Sequence, residues 1–173
     1  MPLTVLLGGA RSGKSSLAVA RARALAAPVV FIATAEALDA EMEERVAHHR
    51  AERDAAWTTV EEPLHPERAL AAVPPQACVV LDCLSLWVAN LIQRDIPEEE
   101  LVRRSRQAAV EAAVRPGLTI VVSNEVGMGV VPEFELGRSY RDALGRVNAA
   151  WAAEAQEALL VVAGRTLELG ATR

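Results

Sequence analysis

Short, continuous apolar runs recur along this chain, each ending in a small or polar residue and each followed by a stretch of mixed polarity. They lie at residues 4–7 (TVLL), 28–32 (PVVFI), 77–81 (ACVVL), 118–122 (LTIVV) and 159–163 (LLVVA). Runs of this length, rich in β-branched residues and lacking alternation, suit strands buried on both faces of a parallel sheet. A sixth, more polar segment at 57–61 (WTTVE) is β-prone and is stopped by Pro63. The intervening patterns predict helices at 15–25, 36–53, 66–72, 85–93, 97–114 and 135–158. Pro66 suits the first turn of the third, and Glu98, Glu99 and Glu100 suit the positive N-terminal end of the fifth. Trp87 and Leu91, four apart, mark one apolar side of the fourth. The 36–53 stretch is too polar for a core element. Alternating strands and helices at this spacing imply an α/β fold, a mostly parallel sheet with helices on both faces.

The first strand leads into Gly8-Gly9-Ala10-Arg11-Ser12-Gly13-Lys14-Ser15, a complete G-x-x-x-x-G-K-[ST] motif between strand and helix. This makes the fold a P-loop NTPase type. Gly8 and Gly13 allow positive φ and close backbone approach, so consecutive amides can surround an anion at a helix N-terminus. Lys14 reaches the β- and γ-phosphates as a compact charge, and the Ser15 hydroxyl can join a magnesium shell. The chain holds eighteen Lys and Arg, of which Lys14 is the only lysine. Whatever replaced lysine elsewhere did not replace it here.

The 173 residues make one domain, 1–173, large enough to bury a core without disulfides or a structural metal. A net charge of -5 with scattered arginines disfavours a nucleic-acid face. Cys78 and Cys83 have no metal-type spacing and read as core thiols in a reducing compartment. No apolar run reaches the ~18 residues of a membrane span, and the N-terminus passes straight into a strand. The expectation is a cytoplasmic protein without a membrane span.

Asp82, at the end of the VVL run, stands where a P-loop protein places its magnesium-associated carboxylate; a helix cap would explain it as well. In the 36–53 helix, His48 and His49 point about 100° apart. His49 has Arg45 and Arg53 four residues to either side, while His48 has Glu44 and Glu52. A phosphate would seek the first face, and the flanking guanidiniums favour the neutral imidazole that can attack phosphorus. A solvated helix face with incidental histidines accounts for the same residues. His65 reads as surface. Asn124 and Glu125 follow a strand and precede two glycines, a position suited to binding substrate and orienting a nucleophile, or equally to a turn. Arg138 and Arg141 could offset charge on a transferring phosphate, although an arginine-rich helix supplies such residues freely.

Beyond the P-loop, the blocks I-A-T-A-E, H-R-A-E-R, W-T-T-V-E-E-P, V-L-D-C-L-S-L-W, S-N-E-V-G-M-G-V-V-P-E and G-R-V-N, in this order, cover residues 7 to about 148. The chain strongly resembles the bifunctional adenosylcobinamide kinase and adenosylcobinamide-phosphate guanylyltransferase family of cobalamin biosynthesis. The resemblance implies two reactions: phosphorylation of adenosylcobinamide by ATP or GTP, then transfer of GMP from GTP through a guanylylated histidine to adenosylcobinamide phosphate. It selects His49 as that histidine. It also implies nucleotide contacts at Gly8 through Ser15, at Ala33, Thr34 and Ala35, at Arg50, Ala51, Glu52 and Arg53, and at Glu61 and Asp82. Lys14 and Glu125 join His49 as catalytic candidates, Ser15 and Asp82 are the metal-site candidates, and the family's assembly is a homotrimer. Ser85 stands where the family more often has Thr.

Another P-loop small-molecule kinase would need Lys14, Ser15 and Asp82 but not His49. A GTP-dependent switch module would need an N-K-x-D motif, which a chain whose only lysine is Lys14 cannot contain.

Overall fold

A computed structural model describes residues 3–36, 44, 47, 50 and 53–170 of the chain. Seven strands form one sheet: β1 (Leu3–Gly8), β2 (Val29–Ala33), β3 (Thr58–Glu61), β4 (Cys78–Asp82), β5 (Thr119–Asn124), β6 (Glu157–Val162) and β7 (Arg165–Glu168). The described helices are α1 (Lys14–Arg23), α2 (Pro66–Ala72), α3 (Leu84–Ile92), α4 (Glu98–Val114) and α5 (Glu135–Glu154). The strand order is β3-β2-β4-β5-β1-β6-β7, and every neighbouring pair is parallel except β6 with β7.

The pleat sorts successive residues to opposite faces. Leu3, Val5, Leu7, Ile32, Val79, Leu81 and Val121 pack with Leu70, Trp87, Leu101, Leu144 and Trp151 from α2 to α5. Leu6, Phe31, Val80, Ile120, Leu159 and Val161 pack with Ala18, Val19 and Ala22 of α1. Helices therefore cover both faces, as the continuous apolar runs require. Both cysteines are free and buried within these layers.

Three expectations change. The last helix stops at Glu154, because Ala155 and the following residues turn extended to open β6 at Glu157. The run at 159–163 does not close the sheet. Ala163 and Gly164 take positive φ (50° and 75°), the geometry of a two-residue hairpin turn, and return the chain as the antiparallel, fully exposed β7. His65 is not a bare surface residue: its Nδ1 lies 3.3 Å from Glu67 Oε1 and 3.1 Å from Arg104 Nη2. Of the 36–53 helix, Glu44, Ala47 and Arg50 are helical and exposed. His48, His49, Arg45, Ala51 and Glu52 lie outside the described residues.

Candidate functional site: a nucleotide edge at the strand ends

In a parallel sheet the carboxyl ends of the strands share one edge, where ligands of open α/β folds bind. The register aligns Gly8 with Asn124, Ala33 with Asp82, and Ala33 with Glu61. Asp82 aligns through Val122 with Leu6, so β1 and β5 run two residues further than β2, β3 and β4. Five sequence motifs, far apart in the chain, thus end at one edge of the sheet.

At that edge Gly8 (φ 152°) and Gly13 (φ 101°) adopt backbone angles that side chains disfavour, and Arg11 is also at positive φ (56°). Gly13 stands at the N-cap of α1 with no side chain capping it, so the first amides of the helix remain available to an anion. Ser12 is buried, and its carbonyl accepts the Gly164 amide at 2.9 Å. The β6–β7 turn therefore braces the loop from behind. Lys14 is 5% exposed and its ammonium donates to Gly9 O at 2.6 Å. Burial lowers its pKa from the ordinary lysine value, opposed by the charges of Cys83 and Asp82. Burial also pushes the Cys83 thiol up to about 11, so at neutral pH that thiol is uncharged and Asp82 supplies the counter-charge.

Asp82 ends β4, and its peptide bond to Cys83 is cis. The residue after it, Cys83, is the N-cap of α3. Ser15, half-buried in the first turn of α1, and Asp82 offer one hydroxyl and one carboxylate. Among the described residues no cluster of three or more His, Cys, Asp or Glu could hold a metal by itself. An oxygen-only donor pair of this size fits magnesium, which keeps its waters and shares phosphate oxygens with a bound nucleotide.

Beyond β2, Arg50 pairs with Glu61, and the Arg53 guanidinium lies over the Phe31 ring, 3.8 Å from its centroid. Burial lowers the Arg53 pKa, partly offset by the charge of Asp82. Its Nε and Nη1 are shielded from solvent yet bond nothing among the described residues. Orphaned buried donors of a permanent cation suit an anionic ligand. Arg50, Arg53, Trp57, Thr59 and Glu61 line an open depression of about 730 Å³.

Directly after β5, which lies between β4 and the P-loop strand, the Glu125 amide donates to Gly8 O at 3.0 Å. Glu125 Oε1 accepts the Gly127 amide at 2.5 Å, so the carboxylate folds over its own turn. Arg138 and Arg141 are engaged locally: Arg138 donates to Pro132 O and Glu133 O, and Arg141 pairs with Asp142. Neither reaches the strand-end row through these bonds.

Residues 4–169 match the family described as cobinamide kinase / cobinamide phosphate guanyltransferase. The chain belongs to this family. It is 44% identical over 171 residues to the bifunctional adenosylcobalamin biosynthesis protein CobP of Pseudomonas aeruginosa, covering 95% of each chain. It is 39% identical over 178 residues to the protein of that description, CobU, from Escherichia coli, covering 94% of this chain and 96% of the relative. The chain is accordingly an enzyme, a transferase of the bifunctional kinase and guanylyltransferase type. Solved structures of low identity share the fold. A Pyrococcus horikoshii protein, PH0250, gives a TM-score of 0.57 at 8% identity, covering 96% of this chain and 85% of its own. A type III secretion ATPase gives 0.55 at 9% identity, covering 92% and 50%.

In this cobinamide kinase and guanyltransferase chain, several supporting residues escaped the motif-based reading. Thr34, implied as a nucleotide contact, is completely buried and its hydroxyl bonds the backbone of Cys83, a supporting role that the motif does not reveal. Asn90 of α3 donates to Thr34 O at 2.8 Å and Pro63 O at 3.1 Å. Asn148 of α5 accepts the Ser123 hydroxyl at 2.6 Å and donates to Asn124 O at 3.0 Å. An amide side chain within an otherwise apolar helix face was the available signal in both cases.

Proposed function

We propose that one nucleotide edge serves two successive transfers. In the first, the aminopropanol hydroxyl of adenosylcobinamide attacks the γ-phosphorus of ATP or GTP, and the nucleoside diphosphate leaves. In the second, the His49 imidazole attacks the α-phosphorus of GTP and pyrophosphate leaves. The phosphate of adenosylcobinamide phosphate then displaces the histidine, giving adenosylcobinamide-GDP. Splitting the transfer through a P–N bond replaces one difficult displacement with two easier ones.

The observation that carries the reading is that Ala33, Glu61 and Asp82 stand in register at the same sheet edge where β1 ends at Gly8, with the buried Lys14 following in the P-loop. The loop amides and Lys14 hold the phosphates, Arg53 offers its unpartnered donors to an anion, and Glu61 with Trp57 lines the depression that a purine base would use. Magnesium, held by Ser15 and Asp82, would offset phosphate charge. Glu125 orients the acceptor hydroxyl from the lip of the loop. His49 lies outside the described residues. Its assignment is supported by its place in H-R-A-E-R, directly before Arg50 and four residues before Arg53.

The enzyme acts as a homotrimer in the cytoplasm on this reading, which rests on family resemblance and on two free, buried thiols. The exposed Met128, Val130, Val131, Phe134 and Leu136 form an apolar segment consistent with subunit contact. No described helix is long and apolar enough to cross a membrane.

The test is incubation with GTP labelled in its α-phosphate, followed by mass spectrometry of the protein. An acid-labile, alkali-stable GMP adduct on His49, absent from His49→Ala, is expected. A nucleotide complex that never becomes covalent would sink the transferase mechanism, and an adduct on His48 would reassign the nucleophile.

A further inference from the structure

Thr34 makes an arrangement that nucleotide contact does not explain. β2 and β4 are in register to Ala33 and Asp82, where the ladder ends. One step further, the Thr34 amide donates to Asp82 O at 3.1 Å. Its Oγ1 accepts the Cys83 amide at 2.8 Å and donates to Cys83 O at 2.6 Å. A hydroxyl has one proton and two lone pairs, and these two bonds use the proton and one pair on a single residue's backbone. Asn90 holds the far side by donating to Thr34 O, and Asn90 is itself buried. Thr34 is 0% exposed, so its side chain presents nothing to the open edge.

We infer that Thr34 is a positioning residue for Asp82: its hydroxyl replaces the missing ladder bond beyond β4 and fixes the direction in which the Asp82 carboxylate leaves the strand. This rests on the assignment of Asp82 to the magnesium shell. A carboxylate that shares a metal with a bound triphosphate depends on its own backbone for its aim, because magnesium takes few ligands from the protein and those few must be well placed. Valine in place of Thr34 keeps the shape but removes the acceptor of the buried Cys83 amide, while the Cys83 carbonyl keeps only the Trp87 amide at 3.2 Å. Serine keeps the hydroxyl.

The experiment measures manganese(II) binding by EPR in the presence of a non-hydrolysable GTP analogue. It compares wild type, Thr34→Val, Thr34→Ser and Asp82→Asn, with metal-free analogue affinity and thermal melting recorded for each. Thr34→Val is expected to weaken manganese binding about tenfold or more beyond any change in metal-free analogue affinity, the scale of losing a partner behind a metal ligand. Thr34→Ser should restore manganese binding. Should Thr34→Val not fold, Thr34→Ala lacks the hydroxyl without added bulk and carries the same expectation. Wild-type manganese affinity in the Val or Ala variant, or equal losses in Ser and Val, overturns the positioning role. Normal manganese binding by Asp82→Asn overturns instead the metal assignment on which it rests, so the two failures are separable.

Discussion

Gly8 lies directly against the carbonyl of Val161: a Cβ placed on Gly8 would stand 2.2 Å from that oxygen and 2.9 Å from Ser12 Oγ. The first contact is with backbone of the neighbouring strand β6, which cannot swing aside as a side chain could. Gly8→Ala must therefore displace the end of β1 from β6 or distort the phosphate loop, and φ of 152° adds strain. We expect a cost of about 1–3 kcal/mol, as for overpacking, read as a lower denaturation midpoint. Nucleotide affinity by calorimetry should fall more than the stability loss alone explains.

Lys14 gives a prediction in which charge and shape separate. Its ammonium is buried and bonded to Gly9 O, in a space built for a slender stem with a compact head. In a chain with seventeen arginines, Lys14→Arg appears conservative by composition. The planar guanidinium fork cannot occupy that position without displacing the loop carbonyl. Both Lys14→Arg and Lys14→Met should lower kcat of the kinase step by about 100-fold or more, the scale of removing a preorganised charge from a transition state. Retention of activity by the Arg variant would show that charge alone suffices.

Alkaline pH should weaken the fold through its thiols. Burial raises Cys78 and Cys83 from 9.0 to about 11. The unfolded chain therefore releases protons before the folded one does, and stability present below pH 9 is lost as pH climbs towards 11. Each thiol contributes of order 2 kcal/mol to that fall. Lys14, whose pKa is lowered, acts in the opposite direction in the alkaline range. Urea midpoints between pH 8 and 11 should decline in wild type and decline less steeply in Cys78→Ala/Cys83→Ala, whatever the variant's absolute stability.

How much of this was legible before folding depends on whether the cause is local. The P-loop is contained in eight consecutive residues, and the buried strands declare themselves by unbroken apolarity, so both could be read directly. β7 escaped because Arg165–Glu168 is exposed throughout and carries no apolar run; only the Ala163-Gly164 pair marked its turn. The contact between Thr34 and Cys83 spans 49 residues and exists only because β2 and β4 are neighbours in one register. No spacing rule along the chain could reveal it. Arg53 was named for phosphate binding, but its stacking on Phe31 follows from the strand that Phe31 happens to occupy.

Arg104 illustrates the same limit and yields the last prediction. From its position in α4 it would be read as one of several surface arginines, yet it is 8% exposed. Its guanidinium donates to Glu67 Oε1 at 2.8 Å and to Leu64 O, and sits 5.6 Å from the Trp87 ring centroid. Trp87 donates to the same Leu64 carbonyl at 3.2 Å, so the cation ties α4 to the turn entering α2 and to α3. Glu67 Oε2 is buried with no partner among the described residues and depends on Arg104 for compensation. Arg104→Met keeps the stem but strands that carboxylate, and breaking a buried pair from one side costs about 3–5 kcal/mol. Replacing Glu67 as well, in Arg104→Met/Glu67→Met, removes the stranded charge and should recover most of the loss. Denaturant titrations of the two single variants and the double supply the coupling energy, and additive losses would show that the two groups act independently.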